Sequence, residues 1–311
     1  MKQKLLGLLA IAVSVIMGVI FFFPTLVSPS RPKANNNELV FLTKDDKQKL
    51  FTAIDATKTL ADFDRDMITV YTEILDSYND TKKPDDPFVI SPEFLSDDPS
   101  EIIVVSGKNE TNLLAGLEIS SLHDSDLPML KTFAKLFFEE YSRYPLAWLK
   151  YATPPVIVFA KSVGYQGEIV GGVEQGIIVY NITNVSNVPY TKQLIHHELM
   201  HWVEHFTQTY GDPWPEPNGS YREVYNLKSD YNYEQHPQNG FITGYAQTNR
   251  SEDKAEIYSF LFTPGGLRKL SEWGKTDPLL VKKVEAVKKL IRDRVTKMDN
   301  TYFETQILNS E

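Results

Sequence analysis

Apolar residues recur at helical spacing over residues 43–78: Leu50, Ile54, Leu60, Phe63, Met67, Val70 and Ile74. Positions three or four apart share one helix face, so this segment reads as one long amphipathic helix or two. Thr43 is placed to cap it, with Asp45 and Asp46 in the first turn. Residues 79–87, polar and proline-rich, break the pattern as a loop. Residues 101–107 read as a short buried strand and residues 127–144 as a second amphipathic helix. Two β-branched runs, PPVIVFAKS and GEIVGGVEQGIIVYNI, read as strands. Gly171, Gly172 and Gly176 within them suggest a bulge or a place where another backbone comes close. A histidine-rich helix follows, then a long irregular stretch to Asn249, a helix from Ser251 and a basic amphipathic helix over about 278–298. Strands followed by helices, without regular alternation, predict an α+β fold.

The N-terminus has a different pattern. After Lys2 and Lys4, residues 5–27 carry no charge. At about 1.5 Å per residue this run can cross a hydrocarbon core about 30 Å thick. The two lysines predict that the N-terminus stays inside and the rest of the chain lies outside. Residues 1–27 therefore read as a transmembrane anchor or a signal. The anchor is favoured because the apolar core is long and Pro29 spoils the obvious cleavage after Ser28. Residues 28–38, with two prolines and three asparagines, read as a tether. The expected location is the cell membrane, single-pass with the body outside, or the exterior if the segment is cleaved.

Composition narrows the chemistry. The net charge of −9 and the lack of a basic run argue against a nucleic-acid partner. The chain has no cysteine, which excludes disulfides, thiolate metal sites, a cysteine nucleophile and a lipoprotein anchor. Nothing in the totals speaks to oligomeric state.

Four of the six histidines lie in LIHHELMHWVEH, residues 194–205. His197-Glu198-Leu199-Met200-His201 fits the H-E-x-x-H zinc pattern. Two imidazoles four residues apart share a helix face and can converge on one ion. Glu198 beside the first is placed to take the proton of a water that zinc acidifies. His205 lies about 12 Å along the axis from His197, too far to share the ion. His196 is rotated about 100° away from His197. Both are expected to be surface groups or to hold a ligand from behind, so the third ligand must come from elsewhere. Glu252 and Glu256, four apart on the later helix, could supply a ligand and a carboxylate that holds a ligating histidine. Taken by itself, that segment could equally be an exposed acidic helix face with Lys254.

Residues 245–256 run Tyr-Ala-Gln-Thr-Asn-Arg-Ser-Glu-Asp-Lys-Ala-Glu. Together with the H-E-x-x-H about fifty residues earlier, this segment resembles the gluzincin zinc metallopeptidases, the catalytic domain of anthrax lethal factor among them. Their second motif is Tyr-x-x-Thr-Asn-x-x-Glu-x-x-Ala-Glu. The resemblance covers roughly residues 155–262. It implies a zincin-like domain with an active-site helix packed on a small sheet. It also implies Zn2+ held by His197, His201 and Glu252, with Glu256 behind a ligating histidine. Glu198 would then be the general base, and Tyr245 the residue that stabilises the developing oxyanion. Lys254 departs from the pattern, since relatives often carry an aromatic residue there. The expected organisation is a mostly helical N-terminal region over 39–150, which the resemblance does not reach, and a zincin-like catalytic region over 151–311.

The expected activity is peptide-bond hydrolysis by a membrane-anchored zinc endopeptidase acting on a peptide or protein. The competing reading is a catalytically idle zincin-fold surface binding protein. The strand over 171–180 could border the substrate cleft or be an ordinary edge strand. The aromatics of the long loop, Trp214, Tyr221, Tyr225, Tyr231, Tyr233 and Phe241, could line a groove or form a small satellite core.

Overall fold

The computed structural model describes residues 39–310, apart from 64–65, 68–69, 71–72, 75–101, 105–116, 121, 153–156, 166, 175–177, 208, 217–220, 223–235 and 237–238. The expected anchor and tether, the loop at 79–87, Gly176, and Tyr225, Tyr231 and Tyr233 lie outside the described residues. Among the described residues, no helix is long and apolar enough to cross a membrane.

The first amphipathic segment is two helices. α1 spans Lys44–Ala56 and is opened by a reciprocal cap between Thr43 and Asp46. The backbone turns extended at Thr57, and helix resumes at Leu60 over the Thr59 cap. Leu50, Ile54, Leu60, Phe63, Met67 and Ile74 are buried, as the spacing predicts. α2 (Leu127–Tyr141) ends earlier than its pattern suggests, and a short helix α3 (Leu146–Ala152) follows Pro145.

Among the described residues, seven short strands form two sheets. β1 (Ile102–Val104), β3 (Ile157–Ala160) and β7 (Ile178–Asn181) pair in parallel, and β6 (Gly172–Glu174) pairs antiparallel on the outside of β7. β2 (Leu117–Ser120), β4 (Ser162–Tyr165) and β5 (Glu168–Val170) make a separate antiparallel sheet. The second β-branched run, which reads as strand, thus holds three strands broken at Gly171 and after Glu174.

β3 and β7 are buried on both faces because alternate side chains serve two cores. Ile157, Phe159, Ile178 and Tyr180 join the large core under the helices. Val158, Ala160 and Val179 join Val163 in a small core, against which Leu117, Ile119, Val170 and Val173 pack. The larger core runs from Leu42 to Ile307 and includes Phe133 and Phe137 of α2, whose rings meet Phe159 and Tyr180 edge-on or tilted.

The helices of the site lie on that core. α4 spans Val188–Thr207 and is held to β7 by the Tyr180 hydroxyl, which donates to the Ile195 carbonyl at 3.0 Å. α5 spans Arg250–Leu261 and packs along α4. α6 (Pro264–Trp273), which the sequence pattern did not reveal, and α7 (Pro278–Arg292) complete this side. The mixture of helices with small parallel and antiparallel sheets is α+β.

Candidate metal centre

α4 buries Leu194, Ile195, Leu199, Met200, Trp202 and Val203, and this orients its remaining face. His197 and His201 lie one above the other on that face, ring centroids 4.8 Å apart. α5 starts at the Asn249 cap, whose side-chain oxygen accepts from the Glu252 backbone N–H at 2.9 Å. The helix thus begins at Arg250, one residue before the expected Ser251. The cap places Glu252 in the first turn, where the helix dipole favours a carboxylate.

Three ligand atoms converge. Glu252 Oε2 is 3.0 Å from His197 Nε2 and 3.2 Å from His201 Nε2, and the two nitrogens are 3.1 Å apart. Among the described residues, this is the one group of three with metal-ligand character. A tetrahedral zinc with bonds of about 2.0–2.1 Å puts its ligand atoms about 3.3 Å apart, so the donor set fits. Two facing ring nitrogens and a carboxylate oxygen also match zinc's preference for nitrogen and oxygen donors.

The electrostatics follow from burial and charge. Burial works to lower the His197 pKa, but hydrogen bonds and charge from Glu252 and Glu256 outweigh it and raise it well above its ordinary value. Burial is likewise outweighed at His201, chiefly by Glu252, and its pKa is raised. The two rings together hold the Glu252 carboxyl far below the usual carboxylate range, against the effect of its own burial. A metal ion would compete with protons for these nitrogens.

Glu198 lies beside the cluster under the start of β6. A Cβ on Gly172 would sit 2.8 Å from Glu198 Cγ, so only glycine lets the strand pass so close. Gly171 is similarly confined by Tyr190 and Leu194. The close approach expected from these glycines is therefore of helix side chains onto strand backbone. Burial is the main force that pushes the Glu198 carboxyl up to about 7.

Glu256 Oε1 is 3.0 Å from His197 Nδ1, and Glu256 Oε2 accepts from the Thr243 hydroxyl at 2.7 Å. Thr243 also accepts from the Ala246 N–H at 3.0 Å and so fixes the short turn Tyr245–Gln247. The Tyr245 ring lies 5.9 Å from that of His197. Thr243 was missed in the sequence, where a lone threonine in an irregular stretch carries no periodic signal. The exposed acidic face considered for α5 is absent: Glu252, Asp253, Lys254 and Glu256 are all buried.

His196 is not a surface group and does not approach the metal ligands. It is fully buried, with Nε2 3.1 Å from Glu140 Oε2 and Nδ1 2.5 Å from the Tyr144 hydroxyl. It anchors the back of α4. His205 is half-exposed, stacked on Trp202 and 3.5 Å from Glu174. Of the loop aromatics, Trp214 and Phe241 are buried, and Trp214 and Tyr221 both donate to Asp253 of α5. The Phe241 ring meets that of Tyr221 edge-on, so these three cluster around Asp253 beside the core.

No curated protein and no solved structure matches this chain. A family model described as "Putative zinc-binding metallo-peptidase" matches residues 122–293, which span α2 through α7 and include every residue of the convergent cluster. With the family's metal accounted for by two histidines and a glutamate at tetrahedral spacing, the chain belongs to this family of zinc-binding metallopeptidases.

Proposed function

We propose that the protein is an endopeptidase of the gluzincin type, with His197, His201 and Glu252 as the zinc ligands, Glu198 as general base and Tyr245 as oxyanion donor. The convergence of His197 Nε2, His201 Nε2 and Glu252 Oε2 carries this reading. Zinc held there would polarise a peptide carbonyl and acidify a water. Glu198 would take a proton from the water as its oxygen adds to the carbonyl carbon. It would then pass the proton to the amine nitrogen as the C–N bond breaks. A carboxyl poised near neutrality suits both transfers. The Tyr245 hydroxyl would donate to the oxygen that gains negative charge, a contribution of a few kcal/mol where such donors have been removed, about 3 in order of magnitude. Glu256 would hold His197 in the tautomer that faces the metal.

An extended peptide would add to the outer side of β6, the edge of its sheet among the described residues, which passes over Glu198. Residues 5–27 would anchor the enzyme with its body outside the cytoplasm.

A digest of a diverse peptide library by the full-length protein, with and without chelator and read by mass spectrometry, tests the reading. Internal cleavage that chelator abolishes is the expected result. Glu198→Gln should bind zinc as the wild type does and lose activity by several orders of magnitude. Undiminished cleavage by this variant would remove Glu198 from the mechanism. No cleavage of any peptide by the zinc-loaded wild type would favour an idle binding domain.

A further inference from the structure

The departure at Lys254 and the glutamate at position 204 meet in the structure. Lys254 Nζ donates to Glu204 Oε1 at 2.6 Å and to the Thr209 carbonyl at 3.3 Å, in a pair whose side chains are 4% and 1% exposed. The other oxygen of Glu204 accepts from the Ser251 hydroxyl at 2.5 Å. Ser251 Oγ is in turn 3.1 Å from His201 Nδ1. A continuous chain therefore runs Lys254–Glu204–Ser251–His201.

The protons in this chain have one consistent arrangement. An ionised carboxylate only accepts, and an ammonium only donates. The single proton of the serine hydroxyl goes to Glu204, so Ser251 has only lone pairs left for the imidazole. His201 Nδ1 must then carry the ring proton. Nε2 keeps its lone pair and directs it at the point shared with His197 Nε2 and Glu252 Oε2. Lys254 supplies the positive charge that a carboxylate in so buried a place needs to stay ionised.

We propose that Glu204 and Lys254 are positioning residues that act through Ser251 to set the tautomer of His201 and present its Nε2 to the metal. The inference rests on the zinc-centre reading. His197 achieves the same end by direct contact with Glu256, whereas His201 is served by a serine and a carboxylate three residues further along its own helix.

The test is the zinc affinity of the full-length protein, measured by competition with a chromophoric chelator. Ser251→Ala and Glu204→Gln should each weaken zinc binding by about 10–100-fold, as is usual when a group behind a ligating histidine is lost. Ser251→Thr keeps the hydroxyl and should remain within about twofold of wild type, well inside that range. Because Glu204 acts through Ser251, the double variant Ser251→Ala/Glu204→Gln should bind no more weakly than Ser251→Ala alone. Glu204→Gln leaves a buried lysine unpaired, so Glu204→Gln/Lys254→Met, which removes both charges, guards against mere unfolding. It should show the same loss as Glu204→Gln.

A folded pair variant with wild-type affinity, or additive losses in the Ser251–Glu204 double, overturns the proposal. Where the pair variant does not fold, wild-type affinity in Ser251→Ala overturns it equally. A wild type that binds no zinc removes the metal centre and the relay together. A wild type that binds zinc beside indifferent variants removes the relay alone.

Discussion

At Glu198 a single carboxyl is asked to be ionised in a place that resists charge. Burial raises it from 4.5 to about 7, while the charges of His197 and His201 pull the other way. A dication in the adjacent cluster adds to that pull. As the proposed general base, Glu198 would work only when ionised, so activity would belong above its pKa and fall below it. We expect kcat/KM to drop tenfold per pH unit on the acid side, with an apparent pKa between 4.5 and 7. A pH profile flat from about 4 to 8, across that whole range, would contradict the role. Gly172 bears on the same residue from the other side. Ala at 172 would press its Cβ on a flexible side chain rather than on backbone, so the carboxylate moves and the fold survives. Gly172→Ala should lower kcat by about 10–100-fold, the scale on which misplacement of a reacting group is felt. Its melting temperature should stay close to wild type. Normal turnover in a folded Gly172→Ala would mean that Glu198 is not held against β6.

Helix α4 is gripped from behind as firmly as it is functionalised in front. Glu140 of α2 accepts from Arg143 at 2.6 Å and from Lys192 at 3.1 Å, and lies 3.1 Å from His196. Burial alone would raise its pKa, but the hydrogen bond and charge of His196, then Arg143, hold it at about 2. Burial also lowers the His196 pKa, against the hydrogen bond and charge of Glu140. The depression of the carboxyl is favoured by the Arg143 and Lys192 side chains, which lie against the same group. A depressed acid stabilises the fold above its ordinary value of 4.5, and the benefit is lost as pH falls toward 2. Urea unfolding should therefore show a gap between wild type and Glu140→Gln that is widest above pH 4.5 and narrows toward pH 2. A gap independent of pH would mean that Glu140 is not ionised in the fold.

Across the whole molecule, the centre ties two helices drawn from separated parts of the chain. His197 and His201 come from α4, and Glu252 and Glu256 from α5, with residues 208–249 between them. A ligand that binds only the folded state stabilises it by mass action, about 4 kcal/mol when free zinc is a thousand times its Kd. Removal of zinc should lower the melting temperature by several degrees, at about 2–4 °C per kcal/mol for a chain of this class. Re-addition should restore it. A melting temperature indifferent to chelator would show that the α4–α5 packing stands without the metal.

Helical spacing alone makes His197 and His201 neighbours and puts Glu198 beside them, because the geometry of one turn is local. The apolar face of α1 and the cap at Thr43 are equally local and readable without coordinates. The alternation that splits β3 and β7 between two cores is also written in the chain, but as an unbroken apolar run, which reads only as buried strand. What required the fold is everything that depends on two segments meeting. His196 looks like a spare histidine until Glu140 and Tyr144, contributed by and just after α2, close around it. Glu204 and Lys254 look like ordinary surface charges until α4 and α5 pack and bury them against each other. Gly172 looks like a bulge until Glu198 fills the space its missing side chain leaves. Periodicity records which face of an element is buried; it carries no information on which distant group that face will touch, and the partners of a buried polar atom are set by tertiary packing.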